Sequence, residues 1–169
     1  MKDKIVLITG ANRCIGKETT RALAKKGATI IMSCRHLEKA EPVCAMIQRE
    51  SKNPNIKVMK LDLASLESVR NFTQEFKARY QKLNVLINNA GVFCMKREET
   101  EEGFELTMGV NHLGHFLLTH ELLPILEKTP EARIVNLSSN AHSSADLKFS
   151  SHKRIHCWFS HSLMSLYLI

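Results

Sequence analysis

The chain has 169 residues, 44% of them hydrophobic, and its 24 Lys and Arg residues outnumber 17 Asp and Glu residues to give a net charge of +7. This length and hydrophobic content suit one domain with a buried core and exclude a disordered chain. The basic residues before position 140 are scattered, with Lys25/Lys26 and Lys96/Arg97 as adjacent pairs, so we expect a solvated basic surface and no nucleic-acid partner.

Strand-like and helix-like segments alternate from the start of the chain. Residues 5–8 (Ile-Val-Leu-Ile) form a short apolar run before Thr9 and Gly10, which is typical of a strand buried on both faces of a parallel sheet. The patterns that follow predict a helix over 15–26, a strand over 28–34, a helix over 37–50, a strand over 56–61 and a helix over 65–81.

The alternation continues through the second half of the chain. It predicts a fourth strand over 85–87, a long helix within 103–128 and a fifth strand over 134–137. In the long helix we expect an inward-facing set formed by Phe104, Met108, Leu113, Leu117 and Leu122. Right-handed crossovers place helices on both faces of such a sheet, so the sequence predicts an α/β protein with a doubly wound parallel sheet, the Rossmann fold.

The composition changes near Ala141, where Ser and His become frequent and the strand-helix rhythm ends. We therefore expect residues 1–140 to form a Rossmann domain and residues 141–169 to form a divergent tail. In this tail, His152, His156, Cys157 and His161 lack a matching second pair of ligands, so we expect no metal site.

The cysteine pattern and the N-terminus bear on the compartment. The five cysteines are odd in number and lack a Cys-x-x-Cys spacing, which favours a reducing compartment such as the cytosol. The first residues lack a signal-peptide pattern, and no apolar run reaches the ~18–20 residues of a membrane span. We expect a cytoplasmic protein without a transmembrane segment, and the apolar residues from Trp158 onward leave open a peripheral position on intracellular membranes.

A glycine-containing turn lies where the first strand passes into the first helix. Residues 9–16 read Thr-Gly-Ala-Asn-Arg-Cys-Ile-Gly. Backbone N–H groups and the helix dipole at such a junction can hold a pyrophosphate, and glycines let the backbone approach the ligand. Two glycines alone also fit an ordinary tight strand-to-helix connection.

The resemblance to a known family is carried by several motifs together. The turn resembles the Thr-Gly-x-x-x-Gly-x-Gly motif of short-chain dehydrogenases/reductases, and residues 88–91 resemble that family's Asn-Asn-Ala-Gly motif. Residues 110–116 and 134–139 extend the similarity, which covers about residues 4–142 and is greatest to the retinol dehydrogenase-like branch. The resemblance implies an NAD(P)-dependent oxidoreductase acting on CH–OH groups, whose partners are a nicotinamide dinucleotide and a lipophilic alcohol or carbonyl compound such as a retinoid.

The resemblance also implies which residues bind the cofactor. Cys14 stands where the family has its middle glycine, so we expect strain or crowding of the pyrophosphate and a weakened affinity. Asp62 and Leu63 match the adenine contact, although Asp62 alone also fits a turn residue. The expected cofactor-binding residues are Gly10, Asn12, Arg13, Cys14, Ile15, Gly16, Arg35, Asp62, Leu63, Asn89, Ala90 and Gly91.

The residue after the second strand favours NADP over NAD. No Asp or Glu follows Cys34 to bind the ribose 2′-hydroxyl of NAD. Arg35, helped by Arg13, instead suits a 2′-phosphate. The alternative is that Arg35 is an ordinary solvated loop residue.

The family's proton relay is incomplete in these residues. By resemblance, Ser139 matches the catalytic serine and Asn111 the catalytic asparagine, but the Tyr-x-x-x-Lys motif is absent. Tyr80 belongs to the apolar stripe of a helix, and Tyr167 lies too far beyond Ser139. We therefore expect impaired catalysis, an altered or truncated ending and a fold incomplete at its C-terminal side.

An alternative function follows from the same features. A strand over 134–137 without its family neighbours would have an exposed apolar edge. The chain would then be a non-catalytic Rossmann fragment that binds nucleotide weakly or associates with another protein through this sheet edge.

Overall fold

A computed structural model of the chain describes residues 1–139 and, beyond them, the two short strands β6 and β7. In chain order the elements are β1 (Ile5–Thr9), α1 (Cys14–Lys25), β2 (Thr29–Cys34), α2 (Leu37–Ser51), β3 (Ile56–Lys60), α3 (Leu66–Arg79), β4 (Val85–Asn88), α4 (Leu106–Met108), a π-helical turn (Gly109–Gly114), α5 (His115–Glu127), β5 (Arg133–Asn136), β6 (Asp146–Phe149) and β7 (Ile155–Trp158).

The first five strands form one parallel sheet in the order β3-β2-β1-β4-β5. Side chains alternate between its two faces, so Leu7 packs with α3 and α5 while Val6 and Ile8 pack on the opposite side with α1 and α2. All three are fully buried. The predicted α/β fold with a doubly wound parallel sheet is confirmed.

The long helix expected within 103–128 is present over residues 106–127, but Phe104 lies before its first turn and does not face inward. Phe104 is 42% exposed, because it closes a turn in which its backbone N–H donates to Thr100 Oγ1 at 3.2 Å and its carbonyl accepts from Thr100 N at 2.8 Å. The helix begins only after Glu105, whose carboxylate accepts the backbone N–H groups of Thr107 and Met108. The π-helical turn then separates α4 from α5.

The end of the described region contains features that bear on association. Among residues 1–139, β5 pairs with β4 on one side and with no strand on the other, and Ile134 and Val135 are 41% and 43% exposed. Further on, β6 and β7 pair antiparallel, with Asp146 opposite Trp158.

The division into a domain of residues 1–140 and a tail of residues 141–169 stays a prediction. No helix in the described part of the chain is long and apolar enough to cross a membrane.

Candidate functional site

A cleft of about 720 Å³ lies at the carboxyl ends of the parallel strands. Ligands of open parallel sheets bind at this edge. The structure brings together there every residue that the sequence analysis assigned to a site: Gly10, Asn12, Arg13, Cys14, Ile15, Gly16, Arg35, Asp62, Leu63, Asn89, Ala90, Gly91, Asn111 and Ser139. Their individual roles toward a ligand stay predictions.

Two glycines of the turn after β1 pack directly against the Asn-Asn-Ala-Gly segment, residues 88–91. Gly10 has a φ of +63°, and a Cβ added to it would lie 2.9 Å from Ala90 Cα. A Cβ on Gly16 would lie 2.5 Å from Asn89 Nδ2 and would also collide with the carbonyl oxygen of Gly10. Both positions therefore require glycine, and the backbone at the start of α1 stays open toward the cleft.

Hydrogen bonds from Thr9 hold the same two segments together. Its buried hydroxyl oxygen accepts the backbone N–H groups of Asn89 and Ala90, both at 2.9 Å. The Asn89 amide donates in return to the Thr9 carbonyl at 2.7 Å. The sequence analysis quoted Thr9 as part of the motif but gave it no role, although a polar residue ending an apolar strand signals a buried partner.

Cys14 occupies a strained position in this turn. It is the first residue of α1, its φ is +48°, and it is exposed. This left-handed conformation favours glycine, because a Cβ there is crowded by the neighbouring carbonyl. The conformational part of the expectation for Cys14 therefore agrees with the geometry, and its effect on ligand affinity stays a prediction.

Basic side chains surround the end of β2. Arg35 follows that strand and is exposed, and its Nε donates to His36 Nε2 at 3.1 Å. The Nδ1 atom of His36 lies 3.3 Å from the carboxylate of Glu38. Lys39, at the start of α2, also lines the cleft. The sequence analysis missed His36 and Lys39, which could have been found from the basic residues that begin the second helix.

Asp62 shapes the turn after β3. One of its carboxylate oxygens accepts the backbone N–H of Ala64 at 2.9 Å, and its own backbone N–H donates to Ser68 Oγ at 3.0 Å. Asp62 therefore acts as a turn residue and lines the cleft as well.

Gly114, just before α5, packs closely against the neighbouring Leu63. A Cβ added to Gly114 would lie 2.5 Å from the Leu63 carbonyl oxygen.

The two residues assigned to catalysis, Asn111 and Ser139, line the same cleft. Asn111 is buried in the π-helical turn. Its Oδ1 accepts the backbone N–H of Val92 at 2.8 Å, and its Nδ2 donates to the Val92 carbonyl oxygen at 2.9 Å. Ser139 is half-buried and Ser138 is exposed, and both line the cleft. A π-helical turn is frequent at functional sites, because the extra residue redirects side chains and carbonyls.

No tyrosine lines the cleft in the part of the chain that the structure describes. Tyr80 caps α3 and packs on Phe76, with 4.9 Å between the ring centroids, and burial raises the pKa of its phenol. Tyr167 lies outside the described residues. No group of three or more potential metal ligands occurs among the described residues either. Of the tail residues considered for a metal, His152 and His161 lie outside them, and only the backbone of His156 and Cys157 is described.

The comparisons with known proteins agree with this geometry. The model of the short chain dehydrogenase family matches residues 4–151. Retinol dehydrogenase 12 of Bos taurus and retinol dehydrogenase 11 of Homo sapiens are each 49% identical over 146 residues, which cover 86% of this chain and 46% of each relative. The chain therefore spans about half the length of these curated relatives.

A solved structure is similar as well. The putative short chain dehydrogenase from Escherichia coli CFT073, complexed with NADPH, has a TM-score of 0.74 at 31% identity and is matched over 85% of this chain and 61% of its own. The family match, the sequence identities and the shared fold all point the same way. The chain belongs to the short chain dehydrogenase family.

Proposed function

We propose that the cleft binds a nicotinamide dinucleotide with its pyrophosphate at the start of α1. The observation that carries this proposal is the contact between Gly10 and Ala90 and between Gly16 and Asn89, which leaves no room for a side chain between the turn and residues 88–91. Such a cradle at a helix N-terminus offers backbone N–H groups and a positive dipole end to phosphate oxygens.

The cofactor that we propose is NADP(H) rather than NAD(H). Arg35 and Arg13 lie on the same cleft as Lys39, which provides three cationic side chains where the adenosine half of a dinucleotide would lie. Guanidinium groups bind phosphate through paired hydrogen bonds, whereas a ribose 2′-hydroxyl is usually bound by a carboxylate. The NADPH complex of the Escherichia coli relative supports the same choice.

The proposed reaction class is oxidation or reduction of a retinoid or another lipophilic alcohol or carbonyl compound. Its support is the sequence identity to retinol dehydrogenases 11 and 12. A bound nicotinamide supplies or accepts the hydride in such a reaction. Ser139 would orient the substrate oxygen, and Asn111 would support the proton relay. We further propose that residues 1–169 bind dinucleotide with impaired turnover, because neither tyrosine begins a Tyr-x-x-x-Lys motif.

The test is a fluorescence titration of the purified chain with NADPH and NADH, together with an assay of all-trans-retinal reduction. We expect NADPH to bind more tightly than NADH and retinal reduction to be absent or slow. Gly16→Ala should abolish binding. The control is Gly103→Ala, a glycine outside the cleft with no atom within 4 Å of an added Cβ; its φ of +81° disfavours alanine, but the change should leave binding unchanged. Failure of the unaltered chain to bind either dinucleotide would refute the proposed function, and rapid turnover would refute the impairment.

A second candidate is a non-catalytic protein that associates through its sheet edge. The exposed Ile134 and Val135 on β5 favour it, since an apolar unpaired edge invites strand pairing. Light scattering of the chain alone and mixed with a full-length retinol dehydrogenase tests this candidate. Association that Ile134→Lys removes would support it, and a monomer in both mixtures would refute it.

The remaining parts of the proposal concern location. We propose a cytoplasmic protein that lies peripherally on intracellular membranes, which the cysteine pattern and the apolar residues from Trp158 onward favour. Fractionation of cells that express the tagged chain tests this placement, and recovery of the chain within a secretory compartment would refute it.

A further inference from the structure

A histidine behind the cleft contacts two of the segments that build it. His115 is the first residue of α5 and is 1% exposed. Its Nε2 lies 2.8 Å from Thr9 Oγ1, and its Nδ1 lies 3.2 Å from the backbone carbonyl oxygen of Asn111. His115 therefore lies between the end of β1 and the π-helical turn.

The partners determine which ring nitrogen carries the proton. The Asn111 carbonyl oxygen can only accept, so Nδ1 is the donor. Thr9 Oγ1 already accepts from the backbone N–H groups of Asn89 and Ala90, so its own proton points to His115 Nε2. The other acceptor near this hydroxyl, the Ile87 carbonyl oxygen, is 3.5 Å away. His115 is thus a neutral imidazole with its proton on Nδ1.

The surroundings make a polar ring at this position costly. The next inward residues of α5, Leu118 and Leu122, are fully buried in the apolar core. Burial lowers the pKa of His115 to about 4, although hydrogen bonding to the backbone of Asn111 and Val110 acts in the opposite direction, so the ring stays neutral at physiological pH. A leucine or phenylalanine at this position would avoid the free-energy cost of burying a polar ring. We therefore expect the hydrogen bonds of His115 to Thr9 and Asn111 to hold the segments that line the cleft.

We infer that His115 is a positioning residue for the dinucleotide site, which it supports through Thr9 without lining the cleft. This inference rests on the proposed function. By accepting a hydrogen bond from the Thr9 hydroxyl, His115 Nε2 orients that hydroxyl so that its oxygen accepts from Asn89 and Ala90. Asn89 and Ala90 in turn pack against Gly16 and Gly10. A change at His115 therefore affects Thr9, then residues 89–90, and then the glycine turn at which we propose the pyrophosphate binds.

A pair of matched variants tests this role. His115→Phe keeps an aromatic ring and removes the hydrogen bonds to Thr9 and Asn111. The control is Thr129→Val, which also removes buried hydrogen bonds but at the opposite end of the sheet. The Thr129 hydroxyl accepts the backbone N–H of Leu83 at 3.1 Å and donates to the Ile125 carbonyl oxygen at 2.7 Å. Both variants should unfold at a lower temperature, but His115→Phe alone should weaken NADPH binding, by about tenfold or more. An equal effect of the two variants on the NADPH dissociation constant would overturn the inference.

Two measurements without ligand separate this inference from the proposed function. Amide hydrogen exchange at Asn89 and Ala90 should accelerate about tenfold in His115→Phe and remain unchanged in Thr129→Val. Nitrogen-15 shifts of the His115 ring in the unaltered chain should report a neutral Nδ1–H tautomer at pH 7, even if His115→Phe fails to fold. Unchanged exchange, the other tautomer or a charged ring would refute the role of His115, whereas absent NADPH binding with the expected exchange and tautomer would refute only the proposed function.

Discussion

Replacing Cys14 by glycine is expected to stabilise the chain, which is the reverse of the usual effect of a glycine in the first turn of a helix. Cys14 has a φ of +48°, and this left-handed conformation costs an L-residue about 1–2 kcal/mol. Glycine removes that cost but loses about 0.5–1 kcal/mol through the greater freedom of its unfolded chain. Because the thiol is exposed, little packing is lost. The free energy of unfolding should therefore rise by about 0.5–1 kcal/mol.

The same substitution should tighten NADPH binding, because the thiol no longer stands at the mouth of the turn that approaches the pyrophosphate. We expect an increase in affinity of about three- to tenfold, which corresponds to about 0.6–1.4 kcal/mol. Urea denaturation measures the stability and fluorescence titration the affinity. Cys94→Gly is the matched control, since Cys94 is half-buried and has no positive φ, so this variant should be destabilised and should bind NADPH unchanged.

Destabilisation of Cys14→Gly to the same extent as Cys94→Gly would show that the backbone at Cys14 is not strained. A rise in stability together with weaker NADPH binding would contradict the expected effect on the ligand. That result would mean that the Cys14 side chain itself contacts the dinucleotide favourably.

Three further predictions follow from the site. Arg35→Ala should weaken NADPH binding by about ten- to a hundredfold and leave NADH binding nearly unchanged. Arg49 is also exposed, and Arg49→Ala should affect the binding of neither cofactor. Equal losses of NADPH and NADH affinity in Arg35→Ala would contradict a 2′-phosphate contact. His115 has its ordinary pKa of 6.5 in the unfolded chain and a pKa of about 4 in the folded chain, so the unfolded chain binds more protons as the pH falls. The free energy of unfolding should therefore fall by roughly 2 kcal/mol from pH 7 to pH 5. Urea titrations of His115→Phe should lack that part of the pH dependence. Gly10→Ala should lower the free energy of unfolding by about 2 kcal/mol or more, since the φ of Gly10 is positive and the added Cβ meets Ala90. In Gly91→Ala the added Cβ would have an ordinary 3.6 Å contact with Asn111 Oδ1, so thermal melts should show a change of about 0.5 kcal/mol or less.

The sheet and the glycine turn could be predicted because their signals are local. An apolar run of residues 5–8 followed by a glycine encodes both a buried strand and the turn that ends it. Motif residues that follow parallel strands must meet at one sheet edge, which is why residues as distant as Arg35, Asn89 and Ser139 line one cleft. The residues assigned by resemblance to the family motifs therefore lie together in the cleft, and their roles toward a ligand stay predictions.

Two features of the site were not accessible in this way. The hydrogen bond between Thr9 and His115 joins residues 106 positions apart, and no periodicity in either segment indicates it. The π-helical turn contains about one more residue per turn than the helical pattern assumes, so the expected long helix forms over residues 106–127 with a local change of period that the sequence pattern does not indicate. The expected inward position of Phe104 was wrong, because this residue lies in the turn before the helix begins. Both features depend on how α5 packs against the sheet, which a sequence pattern does not specify.

The close approach of Gly114 to the Leu63 carbonyl has a thermodynamic consequence for ligand binding. Backbone at the start of α5 contacts backbone after β3, and Gly10 packs directly against Ala90, so no side-chain rotation can widen or narrow these junctions. A dinucleotide that enters the cleft meets a preorganised surface and induces little ordering of the protein. Its binding heat capacity should then report the apolar area that the ligand covers, without a contribution from coupled folding.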